Sequence, residues 1–226
     1  MKRTFFSLLL VLTLTACFAP VDALPAPTAI ASDTPQMAIP SPTILPATAI
    51  PAVDTPTPQV ATSGFCQDAR NLQLITDLRT AIQNRDGELL AALVNPTTGV
   101  GVRFIRNGNV ITYFDNIKFI FETTYAADWG LAAGSGEPVK GSFQEIVLPS
   151  LDRTFTANAV ITCNELQVGG ATYTPEWPYA DMDFYSVHMP GTDQYAGMDW
   201  ETWAVGIVQQ DGKPMLAALI HYTWEP

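Results

Sequence analysis

Residues 64–226 are predicted to fold as an α+β domain. N-terminal helices pack on a curved, mainly antiparallel sheet, a roll, and a disordered Pro/Thr-rich linker precedes the domain. Three observations predict this. Apolar residues recur at helical spacing only early in the domain. The second half of the chain carries strand-like runs that close on the turn Asp211-Gly212. The composition breaks sharply near residue 63, where a Pro/Thr/Ala-rich stretch without Gly, Lys or Arg gives way to a chain that holds all five tryptophans.

The first helix is read from "ARNLQLITDLRTAIQNRD", where Leu72, Ile75, Leu78, Ala81 and Ile82 follow the 3.6-residue period. "GELLAALVNP" continues as a second helix, with Asp86 as N-cap and Pro96 beyond its end. "GVGVRFIR", "NGN" and "VITYF" read as a hairpin. Asp115 is expected to cap a helix through "NIKFIFETTYAADW", with Ile117, Phe121, Tyr125 and Trp129 on one face, and "GLAAGSGEP" is expected to be a loop. Ser142 and Glu145 have capping-box spacing and open a short helix to about Val147. Strands are expected over 155–166, 182–189, 200–210 and 215–224.

Asp211-Gly212 is a strong two-residue hairpin turn, so Gln210 should face Lys213 and the register should propagate from there. That register puts Val208 opposite Met215, Gly206 opposite Ala217, Ala204 opposite Leu219 and Thr202 opposite His221. Glu201 and Tyr222 fall on the other face. Both faces are largely apolar, so the hairpin should be central. Ala204, Gly206 and Ala217 leave room for a helix or a ligand cavity.

Upstream, Lys2 and Arg3 precede an apolar run of roughly a dozen residues, too short for a membrane span of about 20. This is the shape of an export signal. Its end, Leu14-Thr15-Ala16-Cys17, resembles the bacterial lipoprotein signal. The resemblance implies a signal peptide over 1–16 and a lipid thioether on Cys17. It also implies an exported protein, anchored by its N-terminal lipid on the extracytoplasmic face of a membrane. Residues 17–63 then form a tether. Proline fixes φ and removes backbone donors, so the tether should be extended at about 3 Å per residue, with a reach on the order of 100 Å.

Without Lys2 and Arg3 the chain keeps nine basic residues against 22 Asp and Glu, a net charge near −13. That excludes nucleic acid as a natural partner. Cys66 and Cys163 are an even pair in an exported domain, a candidate disulfide or two buried thiols. With no histidine near either, they do not suggest a metal site, and no motif calls for a cofactor.

Helices first and then a long antiparallel sheet ending in a tight hairpin resembles the nuclear-transport-factor-like (cystatin-like) rolls. Their opening helical pair corresponds here to "LITDLRTAIQNRDGELLAALVNP". "GSGEP", "PGTDQYAGMDW" and "LIHYTW" also resemble uncharacterised exported bacterial domains. The roll hosts both enzymes and plain binding domains, so fold alone does not settle function.

His188 and His221, the two histidines, each lie near a predicted strand end. Paired with Asp199 or Glu201, either could serve as an acid/base site, or simply hydrogen-bond within the sheet. Trp200, Tyr195 and Asp193 lie in a loop rich in aromatics and acids that suits a sugar, a peptide or a cation, or that folds back to close the domain. The glycine-rich loop lacks a phosphate-loop ending, and Ser135 lacks the Gly-x-Ser-x-Gly pattern. The leading expectation is a non-catalytic domain that binds a small ligand, a glycan or an envelope protein. The alternatives are an exported enzyme with a His–carboxylate or metal site, and a structural envelope module.

Overall fold

The computed structural model describes residues 64–226. The signal expected over 1–16, Cys17 and the tether expected over 17–63 lie outside the described residues. The described chain is a mixed α+β domain with a mainly antiparallel sheet. It opens with α1 (Gly64–Gln67), α2 (Ala69–Asn84) and α3 (Gly87–Leu93). The strands are β1 (Val100–Arg103), β2 (Val110–Tyr113), β3 (Ala127–Leu131), β4 (Pro138–Gly141), β5 (Val160–Cys163), β6 (Asp183–Met189), β7 (Glu201–Gln210) and β8 (Lys213–Thr223), with α4 (Leu148–Thr154) between β4 and β5. Six strands form one sheet in the order β2-β1-β8-β7-β6-β5, in which only β1 and β8 run parallel, and β3 and β4 form a separate ribbon.

Local chemistry fixes the helix ends. Asp68 accepts from the Arg70 amide at 3.0 Å and Asp86 from the Leu89 amide at 2.9 Å, each satisfying an orphan N–H of a first turn. The buried stripe of α2 runs through Asn71, Leu74, Ile75, Leu78, Ala81 and Ile82. Leu72, expected on that stripe, is exposed. Asn71 is fully buried but satisfied: it donates to the Phe65 carbonyl and accepts from Gln209. Gly87, at the start of α3, lies so close to Lys118 that an added Cβ would sit 1.7 Å from its carbonyl oxygen.

The helix expected from Asp115 to Trp129 does not form. Asn116 takes a left-handed φ of 58°, a single 3-10 turn follows over Ile117–Phe119, and Trp129 belongs to β3. The Thr123 hydroxyl accepts from the Tyr125 amide, a local turn that competes with helix propagation. Tyr125 is exposed, while Trp129 is buried and donates from Nε1 to the Gly141 carbonyl. The stretch read as a loop after Trp129 is one from Ala132 to Glu137, where it turns the chain between β3 and β4.

The Ser142–Glu145 capping box is complete in both directions. The helix runs past the expected end at Val147, through a π-helical turn (Phe143–Val147) and then α4. Pro149 has no N–H to give the Glu145 carbonyl, and the i→i−4 ladder shifts there. β5 is shorter than expected, and Asn164, with φ 53°, follows its end.

Helices α2, α3 and α4 pack on one face of the sheet, against Tyr185, Val187, Trp203, Val205, Ile207, Leu216 and Leu219. A second cluster on the opposite face joins Phe184, Trp200, Ala204, Ile220 and Tyr222 to Trp177 and Tyr179 of the irregular segment between β5 and β6. Of the space expected beside Ala204, Gly206 and Ala217, that segment fills the part beside Ala204 and Gly206, while Ala217 lines an open groove of about 640 Å³ with Tyr179 and Met182. An added Cβ on Gly206 would meet the Met182 sulfur at 2.5 Å and the Trp177 ring at 2.9 Å. Cys66 of α1 and Cys163 of β5 form a disulfide that joins the opening helix to an edge strand.

The β7–β8 hairpin pairs Gln210 with Lys213 and Val208 with Met215, as the turn requires. The register then slips. Ile207 pairs with Leu216, but Gly206 pairs with Ala218, so Ala217 is a one-residue bulge. Beyond it every β8 side chain changes face relative to the regular register. His221 faces Trp203, not Thr202.

Candidate functional site

The bulge brings two chemically capable residues together. Glu201 and Trp203 lie on the helix-covered face of β7, and the slipped register puts His221 on that same face. Glu201 Oε2 lies 3.7 Å from His221 Nε2. Helix α4 supplies the rest. The Ser150 hydroxyl donates to Glu201 Oε2 at 2.5 Å and accepts from the Trp203 indole N–H at 3.0 Å. Arg153, one turn on, pairs with Glu201 Oε1.

Burial works against ionisation of Glu201, but its contacts with His221, Ser150 and Arg153 outweigh it and hold the carboxyl below the ordinary carboxylate value. The pH consequence follows from that direction. The resulting stabilisation is fully present above the unfolded value near 4.5 and is lost as pH falls through the lower folded value. Glu201→Gln should therefore destabilise the domain at neutral pH by about 1–3 kcal/mol, the usual loss for one partner of a buried hydrogen-bonded group. The gap to the wild type should shrink as the pH falls below 4.5. Urea titrations at both pH values check this, and a gap independent of pH would refute it.

His221 is buried and stacked on Phe104, with ring centroids 4.7 Å apart and planes within 6°. Its Nδ1 lies 3.0 Å from the Phe104 carbonyl oxygen, which can only accept, so Nδ1 carries the proton. Its Nε2 is buried and has no hydrogen-bond partner. The imidazole is thus held by Nδ1, and its buried Nε2 faces Glu201 Oε2 at 3.7 Å.

A cavity of about 350 Å³ opens over this pair, lined also by Phe104, Arg106, Ala133 and Trp224. Arg106 pairs with the buried Glu225 and stacks over the Tyr173 ring. The floor therefore holds two carboxylates and one imidazole, and two guanidiniums reach them from the more exposed rim. A larger and more open groove, about 640 Å³, crosses Gly101, Ala217 and Ala218, on the side of Ala217 where the sequence leaves room.

The other candidates sit apart. His188 pairs with Thr202 and so lies on the opposite face from His221, and β7 runs between their strands. Its Nδ1 is 2.8 Å from the Thr202 hydroxyl, which itself donates to the Gln167 carbonyl, so His188 is the donor there. Burial lowers its pKa below the ordinary imidazole value. Asp199 does not meet either histidine: it accepts from the Thr192 amide and hydroxyl and shapes its own loop. Trp200 is not a surface binding residue. It is fully buried and donates to the Gly170 carbonyl, because the loop folds back to close the second core. Asp193 and Tyr195 are exposed on a 3-10 turn.

Sequence reasoning named Glu201 and His221 but missed Ser150, Arg153, Phe104, Arg106 and Glu225. Ser150 and Arg153 were legible as an i, i+3 pair in "PSLDRT", had the helix been carried past Val147. Among the described residues no group of three or more His, Cys, Asp and Glu is placed to hold a metal ion, and no helix is long and apolar enough to cross a membrane. No family model matches the chain, and no curated protein matches it.

Proposed function

We propose that this chain is a lipid-anchored cell-envelope protein whose Pro/Thr-rich tether presents a ligand-binding α+β roll. The observation that carries the binding function is the cavity lined by the buried His221 and Glu201, where the imidazole Nε2 makes no hydrogen bond. Buried polar groups are ordinarily satisfied, and a concave site lined by one that is not is a place for a ligand. The anchor rests on Leu14-Thr15-Ala16-Cys17, and the roll on the helices packed over one face of the sheet.

A screen of small-molecule fragments against the full chain in detergent, followed by the ring resonances of His221, tests the binding function. Fragments should shift those signals, and Ala133→Trp at the cavity wall should abolish the shifts. Silence from every fragment would refute the reading. For the anchor, palmitate fed to the expressing bacterium should label the wild type and not Cys17→Ser.

A second reading is an exported enzyme, favoured by the 3.7 Å approach of Glu201 to His221. His221 Nε2 would take a substrate proton, Glu201 would stabilise the imidazolium, and the Phe104 carbonyl would hold the tautomer. In that case His221→Gln would keep the ligand and lose turnover.

A further inference from the structure

We propose that the ligand of the His221–Glu201 cavity is a small, uncharged, polyhydroxylated molecule of monosaccharide type; this rests on the binding function proposed above. The first argument is charge balance. The cavity holds two carboxylates and two guanidiniums, matched as Glu201 with Arg153 and Glu225 with Arg106. A ligand bringing a net charge would leave that charge unbalanced beside two already matched pairs. A neutral ligand leaves both intact.

The second argument is the hydrogen-bonding capacity that remains. His221 Nε2 makes no hydrogen bond, Glu201 accepts from Ser150 and Arg153 with about four lone-pair sites, and each guanidinium carries five N–H donors. Acceptors and donors therefore alternate around one small space. A hydroxyl both donates and accepts, so it can give its proton to Glu201 or to Nε2 while taking one from Arg153 or Arg106. Several hydroxyls on one ring satisfy such a set better than a single carboxylate or ammonium does.

The third argument is the walls and the size. Phe104, Trp224, Ala132 and Ala133 are among the lining residues, apolar neighbours that suit the C–H face of a sugar ring. At about 350 Å³ the space lies at the lower end of small-molecule sites, which span about 300–1,000 Å³. It is sized for one ring.

The test uses the full chain in detergent and three probes of the proposed class: N-acetylglucosamine, galactose and mannose. Acetate and choline serve as charged comparisons. Saturation-transfer NMR and calorimetry should show at least one sugar binding at millimolar concentration. Glu201→Gln and Ala133→Trp should each weaken it by about tenfold or more, about 1.4 kcal/mol. Binding that survives Ala133→Trp would place the sugar elsewhere and overturn the inference. So would acetate or choline binding in a manner sensitive to Ala133→Trp while all three sugars fail; that outcome would leave the cavity standing as a ligand site. If neither these probes nor the fragment screen reach His221, the binding function fails as well.

Discussion

Replacing Cys66 and Cys163 together with serine should lower the unfolding free energy by about 4–5 kcal/mol. The disulfide spans 97 residues of sequence, and closing a loop of about that length removes close to 5 kcal/mol of chain entropy from the unfolded state. Its place in the fold makes the effect visible as more than a number. The bond joins α1 to β5, the strand at one edge of the sheet, and β5 is held otherwise by β6 on one side only. Without the bond, the edge strand and the opening helix should open before the centre of the sheet does. Against a total stability of about 5–15 kcal/mol, such a loss leaves the domain close to unfolding at 37 °C. Urea unfolding of the oxidised wild type, the reduced wild type and the double serine variant checks this. The last two should coincide. If reduction left the midpoint unchanged, the loop would already be constrained in the unfolded chain.

Trp203→Ala should cost about 3–5 kcal/mol, the range for deleting a large buried aromatic. Trp203 is fully buried near the start of β7 and packs against Phe104 and His221. Its indole N–H also donates to Ser150, the hydroxyl that holds Glu201. Trp203→Phe separates the two contributions. It keeps most of the packing and leaves the Ser150 oxygen without that donor, so it should cost about 1–2 kcal/mol. Denaturant titrations followed by circular dichroism measure both. Equal losses in the two variants would assign the stability to the indole hydrogen bond and not to the ring volume.

Much of the fold was legible because its signals are local. The caps at Asp86 and Ser142 and the Asp211-Gly212 turn each act within a few residues, and the structure uses all three. The segment from Asp115 to Trp129 misled because its apolar spacing fits a helix, while the Thr123 turn that breaks the helix is itself only a hydroxyl. The site was half legible. Glu201 and His221 were identifiable as chemistry, but a regular register places them on opposite faces. Hydrophobic pattern could not correct this. Both faces of the β7–β8 hairpin are apolar, one against helices and one against Trp177 and Tyr179, so a slip of one residue changes neither.

The bulge at Ala217 therefore makes the site a matter of parity. Between the turn and His221, β8 carries one residue more than a regular ladder would use, and that surplus sends the imidazole to the side where Glu201 waits. Residue identity supplies the acid and the base; counting supplies their meeting. A substitution at Ala217 leaves the count alone, whereas losing or gaining one residue anywhere between Gly212 and His221 would reverse which side of the sheet holds the imidazole. Two chains with the same residues at both site positions, but differing there by a single-residue gap, would not share this site.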